Sequence, residues 1–143
     1  MTEKMSLRDT VIPKSDQLNY DDVANGPITV RITGLRAGSA EQPVIVEIEG
    51  LDGKQYQPFT PCKSMRRVMI AAWGDKGKVW LDQCMTLYGD PTVKFGGVEV
   101  GGVRISHMTG IEKQLTVKLT VTRGKRADFA VKSLVTDKEG GVK

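Results

Sequence analysis

Phe59-Thr60-Pro61-Cys62-Lys63-Ser64-Met65-Arg66-Arg67-Val68-Met69-Ile70-Ala71-Ala72-Trp73-Gly74 is the stretch on which the fold turns. Met65, Val68, Met69, Ala72 and Trp73 recur at helical spacing and form one apolar stripe. Thr60 suits a helix N-cap, Pro61 suits the first helical position, and Gly74 ends the run. The spacing predicts a helix over 61–73. Lys63, Arg66 and Arg67 fall outside the stripe, and residues 60–78 hold five basic side chains against one acidic one.

On either side of this helix the periodicity changes from helical to alternating. Ile28, Val30 and Ile32 alternate with Thr29, Arg31 and Thr33, and Val44, Val46 and Ile48 with Ile45, Glu47 and Glu49. Leu51-Asp52-Gly53-Lys54 then reads as a tight hairpin, since Asp-Gly adopts positive φ at little cost. Gln55–Phe59 is the expected returning strand. After the helix, Gln83–Gly89 is β-rich, and Leu115, Val117, Leu119 and Val121 alternate cleanly with Thr116, Lys118, Thr120 and Thr122. Between them lies an echo, Gly96-Gly97-Val98-Glu99-Val100 and Gly101-Gly102-Val103-Arg104-Ile105, which reads as a hairpin arm or a strongly coiled strand.

Three strands, a helix and two strands is the order of an OB-like Greek-key β-barrel, all-β with one helix between strands 3 and 4. A short β-sandwich competes but rarely needs the helix. A parallel α/β sheet is disfavoured, because only one helix alternates with strands. The expected division is a leader over 1–26, with a helical turn near Asp16–Val23 and a stop at Asn25-Gly26-Pro27, a barrel over 27–135, and a polar, Gly-rich tail over 136–143.

Composition narrows the function. A chain of 143 residues with 39% hydrophobic and 27% charged residues can build one ordinary core. No run approaches the roughly 18–20 apolar residues of a membrane span, and the first residues have no apolar signal core. Cys62 and Cys84 are too few for a disulfide framework and read as passive thiols of a cytosolic protein. One histidine, His107, and no clustered ligands argue against a His/Cys metal site, and no phosphate loop, nucleophile elbow or dinucleotide fingerprint occurs. The expectation is a protein without catalysis and without a cofactor.

Charge points to a partner. The net charge of +4 divides unevenly: residues 1–26 carry −2 and the rest +6. A basic body suits a polyanion. OB barrels hold single-stranded nucleic acid with cations for phosphates and aromatic faces for bases. The cationic candidates are Arg31, Lys54, Lys63, Arg66, Arg67, Lys94, Arg104 and Lys118, and the aromatic ones Tyr56, Phe59, Tyr88 and Phe95. Tyr56 is the leading candidate for stacking. Trp73 and Trp80 join apolar patterns and read as core.

Residues 79–105 resemble a group of small bacteriophage proteins, largely uncharacterised. The resemblance rests on Trp80-Leu81, Met85-Thr86-Leu87-Tyr88, Val93-Lys94-Phe95-Gly96-Gly97 and Gly102-Val103-Arg104-Ile105. It extends over roughly 18–107, through Leu18…Asp22, the strand from Ile28, and Phe59-Thr60 before a helix. It implies an OB fold and single-stranded DNA binding in phage replication or recombination, in the bacterial host cytoplasm and away from the membrane. It carries no individual DNA contact. The chain departs from replicative single-stranded DNA-binding proteins in having no acidic run in Asp137-Lys138-Glu139-Gly140-Gly141-Val142-Lys143. The alternative is a phage interaction protein that binds and modulates a host or phage protein. Leu115–Thr122 is an expected edge for a partner or for a homo-oligomer.

Overall fold

The computed structural model describes residues 17–40, 43–95, 97–122 and 125–134. The expected tail over 136–143 and the first sixteen residues of the leader lie outside them. The elements are α1 (Tyr20–Val23), β1 (Ile28–Ala37), β2 (Val44–Gly50), α2 (Lys63–Trp73), α3 (Gly77–Trp80), β3 (Cys84–Asp90), β4 (Lys94–Phe95), β5 (Val98–Glu99), β6 (Gly102–Met108), β7 (Leu115–Thr122) and β8 (Lys125–Ser133).

Six strands form one mixed sheet in the order β2-β1-β3-β6-β8-β7, and β4 and β5 form a separate small hairpin. All pairings are antiparallel except β6 with β8, where His107 and Met108 run parallel to Lys132 and Ser133. The ladder leaves β2 and β7 at its ends, so the hydrogen-bonded sheet is not the closed barrel the element order suggests. Bulges between Ile32 and Gly34 and between Thr86 and Leu87 bend it.

The expected third strand shrinks to two bridges on β2, Gln55 to Glu49 and Phe59 to Val46. Pro58 beside Phe59 has no N–H to extend that pairing. The turn before it forms as read: Gly50 N–H donates to the Lys54 carbonyl at 2.8 Å, and Gly53 takes φ +87°.

The apolar stripe forms α2 as expected, with Met65, Val68, Met69 and Trp73 buried. The cap does not: the helix begins at Lys63 with Cys62 as N-cap, and Thr60 instead donates its hydroxyl to Gln17 Oε1 at 2.7 Å. There are also three helices among the described residues rather than one. α1 is capped by Asn19 and Asp22 reciprocally, and it sends Val23 into the core beside Leu18. α3 delivers Trp80, whose ring stands edge-on to Trp73 at 6.0 Å. Both indoles are satisfied: Trp73 Nε1 donates to the Thr109 carbonyl at 2.7 Å and Trp80 Nε1 to the Gly74 carbonyl at 2.8 Å.

One core joins these parts. Val30, Ile32, Val46, Met85, Leu87, Ile105, Met108 and Val131 enter it from the sheet, and Phe59, Met65, Val68 and Met69 from the other side. A fully buried Leu or Phe contributes about 1.5–3 kcal/mol, so this shared cluster outweighs any surface pair. Among the described residues no helix is long and apolar enough to cross a membrane.

Candidate functional site

The most constrained polar group on the sheet is at β3 and β6. Their register sets Tyr88 opposite Arg104 and Asp90 opposite Gly102. Opposed residues, and alternate residues of one strand, share a face, so Tyr88, Asp90 and Arg104 stand together. Arg104 Nε lies 3.6 Å from Asp90 Oδ2, with the two side chains only 23% and 24% exposed. The guanidinium carbon is 6.0 Å from the centre of the Phe129 ring, brought in by β8. Asp90 also accepts from the Thr92 N–H at 2.9 Å and the Thr92 hydroxyl at 2.6 Å.

Burial pushes the Asp90 carboxyl up, but the Thr92 bonds and Arg104 outweigh it, and the group lies below its ordinary value. Burial and then Asp90 push the Tyr88 phenol up, with Arg104 opposing them. Arg104 thus stands between the Asp90 carboxylate and the Phe129 ring.

Two clefts meet at this arginine. One, of about 200 Å³, is walled by Leu18, Tyr20, Phe59, Val93, Gly101 and Arg104. The other, of about 380 Å³, is walled by Asp90, Lys94, Arg104, Leu119, Asp128 and Phe129. Tyr20 forms its wall because two glycines admit it. A Cβ on Gly101 would lie 2.6 Å from Tyr20 Cγ, and one on Gly89 would lie 3.0 Å from Tyr20 Cε1. The glycine echo is therefore partly a docking place for α1.

The remaining predicted residues are dispersed. Lys94 lines the second cleft, and Lys118 reaches its rim through a 3.0 Å pair with Asp128. The Phe95 side chain lies outside the described residues. Arg31 is engaged on β1, by Glu49 at 3.3 Å and Asp82 at 2.9 Å. Lys54 stands 5.4 Å over the Tyr56 ring. A Cβ on Gly50 would lie 3.1 Å from Tyr56 Cε2, and a base stacked on the face under Lys54 would have to displace the lysine. Phe59 is 2% exposed and is core, which removes it as a base platform. Arg66 donates to the Pro61 carbonyl at 2.8 Å, and only Lys63 and Arg67 of the helix cations are exposed and without an ion pair among the described residues. Cys62 is exposed and Cys84 buried, and burial pushes the Cys84 thiol up.

Sequence reading missed Asp90, Asp128 and Phe129. Phe129 had a signal, the alternation Ala127, Phe129, Val131. The carboxylates had none, since their importance arises only from strand register. Among the described residues no three His, Cys, Asp or Glu side chains gather as metal ligands would. No family model, curated protein or solved structure significantly matches the chain.

Proposed function

We propose that the chain is a non-catalytic, OB-like module of phage type that binds single-stranded DNA with little sequence preference, in replication or recombination. The observation that carries this reading is Arg104, part-buried beside Asp90 and Phe129 at the junction of two clefts, with Lys94 lining the second of them and Tyr88 across the strand pair. A cation fixed before binding loses little side-chain freedom when it meets a phosphate. The OB-like assignment draws support from connectivity: β1 pairs both β2 and β3, Phe59 bridges β2, and α2 lies between that bridge and β3.

Asp90 and Asp128 in the second cleft temper the attraction, so the interface depends on few phosphates. Titration of a labelled thymidine oligomer at several salt concentrations tests the proposal. Each neutralised phosphate contributes about −0.7 to the log–log slope on a single strand. Roughly three to five phosphates are expected, within an OB site of roughly 4–16 nucleotides. Arg104→Gln, once shown to be folded, should weaken binding and reduce the slope by about 0.7. A flat salt response, equal affinity for duplex, or unchanged binding by the folded variant would refute the reading.

A further inference from the structure

A second surface shares no lining residue with the clefts at Arg104. Between the later half of α2, α3 and the facing ends of β1 and β2 lies a groove of about 430 Å³, lined by Leu35, Arg36, Val44, Ile70, Asp75 and Trp80 among others. Its floor is tight, since a Cβ on Gly77 would lie 3.1 Å from Leu35 Cδ1. Its rim is unusually apolar. Ile70 is 46% exposed, and Val79 and Leu81, which flank Trp80, are 45% and 43% exposed. These are three of the five large exposed hydrophobics among the described residues; Ile70 lines the groove and Val79 and Leu81 adjoin its Trp80 in sequence, while the other two, Val98 and Val100, belong to or adjoin the β4–β5 arm.

Cations outnumber carboxylates in the segments that adjoin this groove. Arg67 precedes Ile70 by one helical turn, and Lys76 and Lys78 flank Gly77. All three are exposed, and none has an ion-pair partner among the described residues. Arg36 is matched by Glu47 at 3.5 Å, which leaves Asp75 as the carboxylate in the lining. Apolar side chains at the centre with unmatched cations around them are the complement of a segment that is apolar in the middle and acidic at its margins.

Nucleic acid fits this lining less well. A base needs an aromatic face, and Trp80 is only 5% exposed, with its indole N–H already donated to the Gly74 carbonyl. Aliphatic Leu35, Val44 and Ile70 accept apolar side chains instead. The volume falls within the about 300–1,000 Å³ of ordinary ligand pockets.

We propose that the Leu35–Ile70–Trp80 groove is a docking site for a protein segment whose bulky apolar side chains enter the groove and whose carboxylates meet Arg67, Lys76 and Lys78. This site stands independently of the DNA-binding reading, and its loss would leave that reading untouched.

The test uses the full chain and the peptide acetyl-Glu-Leu-Glu-Glu-Leu-Leu-Glu-amide. Binding is followed by the fluorescence of the Trp73–Trp80 pair and by amide shifts of α2 and α3 in ¹⁵N spectra. The expected result is saturable binding, weakened about tenfold or more by Ile70→Glu, as befits a central apolar contact. Lys76→Glu with Lys78→Glu should weaken it several-fold and flatten its salt dependence. A peptide with lysine in place of glutamate, and one with serine in place of leucine, should not bind. Because Ile70, Lys76 and Lys78 are exposed, these variants keep the core intact, and circular dichroism checks that they do. Several results would overturn the proposal. They are no binding by the parent, equal binding by folded Ile70→Glu, equal binding of the lysine peptide, and displacement of the peptide by a thymidine oligomer whose own binding is lost in Ile70→Glu.

Discussion

Gly101→Ala probes the joint between α1 and the β6 hairpin region, on which the first cleft depends. Gly101 has φ +83°, and a Cβ there would lie 2.6, 2.7 and 2.9 Å from Cγ, Cδ1 and Cδ2 of Tyr20. These atoms are near the root of the side chain, so the ring cannot swing its tip aside; it must leave. The left-handed backbone alone costs alanine about 1–2 kcal/mol. A buried aromatic covers about 150–250 Å² at about 25 cal/mol per Å², and Tyr20 is half-buried, so ejecting its ring costs about 2 kcal/mol more. The expected total is about 3–4 kcal/mol, read as a shift of the urea midpoint at unchanged slope. Tyr20→Ala alone should cost about 2 kcal/mol, and adding Gly101→Ala to it should cost only the backbone part, about 1–2 kcal/mol. The cycle therefore predicts a coupling of about 2 kcal/mol. If the two changes add to within about 0.5 kcal/mol, the ring does not pack on Gly101 and the cleft wall is wrongly assigned.

The other expectations concern acid and thiols. The Asp90 carboxyl titrates below its ordinary value, so it stabilises the native state above about pH 4, and that contribution is lost as pH falls through the lower native pKa. Asp90→Asn should thus be less stable than the parent by about 1 kcal/mol at neutral pH, and the gap should close in acid denaturation series; a gap independent of pH would contradict the ion-pair account. Cys62 is exposed and Cys84 buried, so a chromogenic disulfide reagent should titrate one thiol at once and the second only at the rate of unfolding. Two fast thiols would show that β3 opens readily.

What was legible in the sequence was local. The stripe Met65–Trp73 needs only the period of a helix, and Asp52-Gly53 needs only the φ preference of glycine, so both read correctly. The start of α2 did not, because Thr60 and Pro61 satisfy the rules for a cap while the Thr60 hydroxyl is claimed by Gln17, forty-three residues away. The Lys125–Ser133 strand was missed because charges and alanines dilute its alternation, and its partners β7 and β6 supply the pairing. The closure of the barrel was over-read for a similar reason: periodicity identifies strands, whereas the reach of a ladder depends on Pro58 beside Phe59 and on two bridges to β2.

The same distinction governs the candidate sites. Net charge is a property of composition, but its placement follows register. On the sheet Arg31, Arg36, Arg104 and Lys118 each meet a carboxylate on a neighbouring strand or turn. On the helical side Lys63, Arg67, Lys76 and Lys78 meet none among the described residues. At physiological salt the field of a charge decays over about 8 Å, so matched pairs on the sheet contribute little beyond their immediate neighbours. Lys94, Arg126 and Lys132 on the strands are likewise exposed and without an ion pair among the described residues, so an approaching anion meets unmatched charge on both sides. A polyanion held at Arg104 and an acidic segment held at Ile70 would be attracted by the same excess charge and separated by what lies beneath it. At Arg104 the guanidinium stands by the Asp90 carboxylate and the Phe129 ring; the groove that Arg67, Lys76 and Lys78 adjoin in sequence is lined by aliphatic Leu35, Val44 and Ile70. On the two proposals, local surface chemistry rather than the +4 of the whole chain would assign each ligand to its place.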